Sequence, residues 1–138
     1  FSEASLEDLC IQIANATNTR GLKIDIKPKS LIIPTSLMFE AQRVLKSVLQ
    51  NDTANNAINA LKVTNSIPDG IKVNNYLTDP DAWFVRTDCP ESLIFFERDP
   101  IMFEQDNDGD TKNIKYNAYE RYVQKWADWR GVYGSPGA

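Results

Sequence analysis

The residues best suited to chemistry lie in one stretch, EQDNDGDTKNIK, at positions 104–115. Counted from Glu104, Asp106 stands third, Asp108 fifth, Gly109 sixth and Asp110 seventh, which are the offsets of an EF-hand calcium loop. The twelfth position is Lys115, where such a loop needs a bidentate glutamate, and strand-forming residues flank it where helices belong. The competing reading is a polar hairpin tip that turns at Asp108-Gly109. Asp106, Asp108 and Asp110 are thus the metal candidates, but the favoured expectation is a solvated tip holding no metal. Paired carboxylates for hydrolysis need a cleft that shifts their pKa values, and these share an exposed tip. Histidine is absent, which removes the usual Ser-His-Asp and Cys-His nucleophiles. Cys10 and Cys89 lie far apart with no CxxC spacing, so zinc is disfavoured as well. No glycine-rich phosphate loop is present. The expectation is a protein that is not an enzyme, with no catalytic residue and no cofactor.

Composition narrows the classes further. The chain has 138 residues, which suits one ordinary domain. Its 42% hydrophobic and 25% charged content fit a soluble globular protein. No apolar run approaches the ~20 residues needed to span a bilayer, so no membrane partner is expected. FSEASLEDLC lacks the basic flank and apolar core of a signal peptide, and the chain does not begin with Met. It is therefore expected to be a fragment or a processed product. Net charge is −4, and the nearest basic cluster, Lys23, Lys27 and Lys29, is interrupted by Asp25. Sequence-specific nucleic-acid readout is not expected. An acidic surface would instead tolerate packed DNA without adhering to it. The two cysteines read as buried small hydrophobes in a reducing compartment.

These residues must be positioned by an order of elements that reads helix, strand, helix, then a run of strands. Ser2 or Ser5 caps a first helix, Ser5 with Asp8 forming an acidic variant of the capping box. Leu6, Leu9, Cys10, Ile13 and Ala14 mark its inner face. Leu31, Ile32 and Ile33 form a short strand buried on both faces and ended by Pro34. Thr35 or Ser36 caps a second helix whose inner face is Leu37, Ala41, Val44, Leu45 and Val48, widened by Phe39. Helical periodicity vanishes after LQNDTANN. SIPDG is a turn, and strands are expected at Ile71–Tyr76, WFV, LIFFE and IMFEQ, with Asp99-Pro100 interrupting the last two. Tyr119, Tyr122, Val123 and Trp126 fit both a helix and a strand, and the pattern leaves both open. The fold class is α+β.

The closing stretch, YVQKWADWRGVYGSPGA, concentrates aromatic residues beside a chain end. Trp83, Tyr122, Trp126 and Trp129 are read as structural anchors that fasten this end into the domain. Losing one buried Trp would cost about 3–5 kcal/mol. Arg121 and Arg130 are placed to pair with Glu120 or Asp128, a contribution of at most ~1 kcal/mol when exposed.

Five strings taken together carry a resemblance: SLIIPTSLMFEAQRVLKS, TANNAINAL, YLTDPDAWFV, LIFFERDP and YERYVQKWADWRGVYGSPGA. In this order they resemble the C-terminal part of tailed-bacteriophage major capsid proteins, the head-shell family of the Hong Kong 97-type fold. The resemblance implies an axial-domain-like central sheet flanked by two helices over 1–97. It implies a long peripheral β-hairpin over 98–125 and a strand over 126–138 returning to the axial sheet, so the last segment is expected as strand. The N-terminal arm, extended loop and spine helix that precede this region in the family are missing from the sequence. The implied function is that of a structural subunit, or a fragment of one, in an icosahedral phage or prophage head shell. It would self-associate into hexameric and pentameric capsomers that enclose DNA, beside other head proteins. The implied location is the virion capsid, after assembly in the bacterial host cytoplasm. Loops of the segment 51–70 and the hairpin tip are the expected contacts, with Asn51, Asn55, Asn56, Asp69, Asp108, Asp110 and Arg121 as interface candidates. The alternative is a small cation-binding or adhesive module using the Asp106–Asp110 loop.

Overall fold

The first helix begins where two serines satisfy each other's backbone. Ser2 Oγ accepts the Ser5 N–H at 3.2 Å, and Ser5 Oγ accepts the Ser2 N–H at 3.0 Å. This reciprocal cap starts α1 (Glu3–Ala14) one turn earlier than a Ser5–Asp8 box would. The computed structural model describes residues 1–50, 57–107 and 109–136. Their elements are α1, β1 (Pro28–Ile33), α2 (Met38–Lys46), α3 (Ala60–Val63), β2 (Ile71–Val73), β3 (Trp83–Thr87), β4 (Leu93–Asn107), β5 (Ile114–Trp126) and β6 (Val132–Ser135). The mixed α+β class expected from the sequence is what forms.

The chain divides into two compact units, 1–90 with 129–138, and 91–128. In the first, a four-stranded sheet has the order β2-β1-β3-β6, with β1 and β2 parallel and the other pairs antiparallel. Leu31, Ile33, Trp83 and Val85 from the sheet share one buried cluster with Leu6 and Ile13 of α1 and with Ala41 and Val44 of α2. Phe1 meets the Trp83 ring edge-on at 5.3 Å. Leu31 and Ile33 are fully buried, whereas Ile32 is only half-buried, so β1 is not hidden equally on both faces.

Three local expectations change. Neither Thr35 nor Ser36 caps the second helix; a 3₁₀ turn over Thr35–Leu37 leads into it, and Ser36 Oγ donates instead to the Pro80 carbonyl at 2.6 Å. Phe39 and Val48 are exposed, because α2 ends at Lys46 and buries only the stripe continued by Leu37, Ala41 and Val44. A further helical turn, α3, follows Asn59, whose side chain accepts the Lys62 N–H. Its four residues are too short for periodicity to reveal.

The final strand joins the sheet against β3, but not by the means expected. Trp129 is 62% exposed. The fastening residue is Arg130, which is buried. Its Nε donates to the Thr17 carbonyl at 2.9 Å, and its own carbonyl accepts Thr87 Oγ1 at 2.7 Å. Trp129 covers the guanidinium, with its ring centre 4.6 Å away, and leans on Tyr133 at 5.9 Å. The indole thus acts as a lid on a buried cation. Gly134 lies opposite Phe84 in the ladder, and a Cβ there would sit 2.3 Å from the Phe84 ring. Glycine is therefore what allows the ring to lie across β6.

Candidate subunit interface

The second unit is a two-stranded ribbon of β4, 15 residues, and β5, 13 residues. It is longer than the hairpin expected over 98–125, and strand geometry wins throughout Tyr119–Trp126. Valine, tyrosine and tryptophan favour extended chain, and pairing across β4 supplies the backbone hydrogen bonds.

Pairing is regular from Leu93↔Trp126 to Glu97↔Tyr122 and again from Met102↔Tyr119 to Asn107↔Ile114. Between them β4 advances two residues to Asp99 while β5 advances one to Arg121, then three to Met102 while β5 advances two. Each step inserts one extra residue, a β-bulge. Pro100, which lacks an N–H, falls inside the second irregularity, between Asp99 and Met102, where a ladder best tolerates it. So Asp99-Pro100 does not interrupt the strand; the bulges absorb it. Two single insertions also restore the side-chain phase. Leu93, Phe95 and Phe103 of β4 therefore share one face with Ile114, Tyr116, Tyr122 and Trp126 of β5. Phe95 stacks on Tyr122 with ring centres 5.3 Å apart.

The opposite face begins apolar, with Ile94, Phe96 and Val123, and turns polar toward the tip, with Glu104, Asp106, Lys115 and Asn117. There Tyr119 donates its hydroxyl to Asp99 Oδ2 at 3.0 Å. That hydrogen bond, with smaller effects of desolvation and of the carboxylate charge, raises the Tyr119 pKa above the ordinary phenol value.

Almost the whole ribbon is open to solvent. Phe103 is 77% exposed and Trp126 73%, and Leu93, Ile114, Tyr116 and Tyr122 are exposed too. The anchoring role expected for Tyr122, Trp126 and Trp129 therefore does not hold within this chain. A two-stranded ribbon has no second layer to bury Tyr122 and Trp126, and alternation predicts which residues share a face without predicting what lies over it; Trp129 belongs to the first unit, where it covers Arg130 and stays exposed itself. Trp83, 3% exposed, is the one expected anchor that is buried. A shallow depression of ≈ 410 Å³ at the ribbon base is lined by Leu93, Ile94, Phe95, Gln124, Lys125 and Trp126.

The other interface candidates fall in both units. Asp69 lies after α3, exposed, with its Oδ2 4.0 Å from Lys29 Nζ. Asp110 is exposed beside the ribbon tip, and Arg121 is exposed opposite Asp99 in the ladder. Asn51, Asn55, Asn56 and Asp108 lie outside the described residues. Among the described residues, no three His, Cys, Asp or Glu side chains come together as a metal site. None of the described helices is long and apolar enough to cross a membrane. Sequence reasoning missed Arg130 as a fastener and Asn59 as a buried polar joint. Asn59 followed by an apolar Ala-Leu pair was the available cue for a cap.

The ladder, the bulges and the exposed aromatic face can be set beside known proteins. No curated protein matches the chain. Its fold is similar to that in the crystal structure of a virus-like particle from Pyrococcus furiosus, with a TM-score of 0.52 at 12% sequence identity. The match covers 94% of this chain and 48% of that one, so the chain spans about half the length of its structural neighbour. The family model described as phage capsid protein matches residues 3–135, nearly the whole sequence. The chain belongs to the phage capsid protein family.

Proposed function

We propose that this chain is part of a self-associating coat subunit of an icosahedral phage or prophage head shell. In this reading the sheet unit corresponds to the axial domain of a capsomer and the ribbon to a peripheral element. Copies assemble into hexameric and pentameric capsomers around packaged DNA, with other head proteins, in the cytoplasm of a bacterial host. The role is mechanical and requires no catalysis.

One observation carries the reading: a long ribbon leaves the large side chains of Leu93, Phe95, Phe103, Tyr116, Tyr122 and Trp126 open on one face, with further apolar side chains at the base of the other. Exposed apolar area of this extent marks a surface that something covers. A solitary two-stranded ribbon is also at best marginally stable in water. In a shell, many such contacts act together, so each one can be modest. Net charge of −4 suits a wall that encloses DNA without binding it tightly.

Electron microscopy and light scattering of the full-length protein that carries this chain test the reading. Closed particles or capsomer rings are the expected result. Phe103→Ser with Tyr116→Ser should reduce assembly strongly while the sheet unit stays folded. A parent protein that remains monomeric across salt, pH and concentration would defeat the proposal.

A further inference from the structure

At one side the four-stranded sheet ends at β2. The Leu31 N–H reaches the Gly70 carbonyl at 3.1 Å, and the Asn74 N–H reaches the Ile33 carbonyl at 2.8 Å. β2 therefore turns its even-numbered backbone groups toward β1. Successive groups along a strand point to opposite sides, so the N–H and C=O of Ile71 and Val73 face outward. Among the described residues nothing pairs with them. An edge in this state is a template for one more strand.

Beside the edge lies a pocket of ≈ 510 Å³, within the range of ligand sites. Leu45, Leu61, Ile67 and Ile71 give it an apolar lining, and Lys46 and Lys62 stand in its wall. Lys62 Nζ donates to the Lys46 carbonyl at 3.0 Å, which holds that ammonium at the pocket. Neither lysine forms an ion pair among the described residues. Asp69, the one carboxylate in the lining among the described residues, has its Oδ2 4.0 Å from Lys29 Nζ. Lys72 is exposed on the opposite face of β2 from Ile71. Cations thus flank the open edge on both faces of the sheet, in a chain whose net charge is −4.

We propose that the β2 edge and the pocket beside it form a docking site for an acidic, extended peptide of a partner protein. The peptide adds a strand against Ile71 and Val73 and places an apolar side chain in the pocket. Its carboxylates meet Lys46 and Lys62 on that face and Lys72 on the other. β2 is three residues long, so backbone pairing alone is weak and the charges supply the selectivity. The site lies within the sheet unit, and the inference depends neither on the ribbon nor on self-association.

The probes are two fluorescein-labelled peptides, Asp-Glu-Leu-Glu-Asp and Lys-Lys-Leu-Lys-Lys, added to the full-length protein that carries this chain. Fluorescence anisotropy reads binding, and hydrogen exchange reads the Ile71 and Val73 amides. The acidic probe should bind with a Kd of about 1 mM or tighter, and the basic probe should not. Salt should weaken the acidic complex, and its formation should slow exchange at both amides. Lys46→Glu with Lys62→Glu should weaken the acidic probe about tenfold or more and strengthen the basic one. Val73→Pro removes an outward N–H without touching the pairing to β1, and should weaken the acidic probe as well. Should Val73→Pro not fold, the double lysine variant carries the test by itself. Equal binding of the two probes would overturn the proposal, as would binding that leaves exchange at Ile71 and Val73 unchanged. Failure of the acidic probe to bind at about 1 mM would overturn it too. So would slow exchange at both amides in assembled protein before any peptide is added, which would assign the edge to a second copy of the chain.

Discussion

The sheet unit and the ribbon are built from the same kinds of residue, and they treat them in opposite ways. In the sheet unit, Trp83, Val85, Leu31 and Ile33 alternate along strands and disappear beneath α1 and α2. In the ribbon, Phe95, Phe103, Tyr116 and Trp126 alternate just as regularly and remain in solvent. Strand propensity and cross-strand pairing operate in both. The difference is the second layer: an alternating strand has an inside only when something packs on it. The first unit carries its own second layer. The second is an extended two-stranded surface with no second layer of its own.

Variants that unseat the first unit should have the largest effects. Trp83→Ala removes a buried indole that packs against Phe1, and a loss of about 3–5 kcal/mol in chemical denaturation is expected. Arg130→Ala leaves the Thr17 carbonyl without its donor and uncovers the Trp129 lid; denaturation should show a loss of about 1–3 kcal/mol. Gly134→Ala forces the Phe84 ring away from β6 and should cost about 1–3 kcal/mol, measured the same way. Phe84→Ala combined with Gly134→Ala should then cost less than the sum of the two single changes, because the clash is gone. In the ribbon the sign of the comparison reverses. Trp126→Ser should change the unfolding free energy of the sheet unit by no more than about 0.5 kcal/mol, while assembly of the full-length protein suffers. The smallest effect is spectroscopic. Tyr119 should lose its proton at a higher pH than an ordinary phenol, and Asp99→Asn should bring its titration back down by removing the charged acceptor.

The sequence reveals some of this contrast and hides the rest for physical reasons. Leu31-Ile32-Ile33 and Trp83-Phe84-Val85 declare themselves as strands because burial leaves continuous apolar runs. Pro68 and Gly70 declare the turn before β2, and Gly70 does adopt positive φ, at 69°. The cap on α1 was half legible: two serines compete, and only the fold selects Ser2. Asp99-Pro100 reads locally as a break, yet two bulges absorb it, and bulges depend on the partner strand. Trp126 and Trp129 look like anchors because large aromatics usually are. Whether a layer covers them is a tertiary fact that no local pattern encodes. Arg130 and Asn59 are harder still, since their partners, Thr17 and Val44, are set by chain paths that single-sequence periodicity does not trace. The contact residues suggested by analogy, Asp69, Asp110 and Arg121, are each exposed.

The most direct measurement is hydroxyl-radical footprinting of the assembled full-length protein against the same protein denatured. The account predicts that Phe103, Tyr116 and Trp126 are strongly protected in the assembled state, as Trp83 is, because a neighbouring layer covers the ribbon. Labelling of those three residues at the denatured level in intact particles, with Trp83 protected, would contradict it.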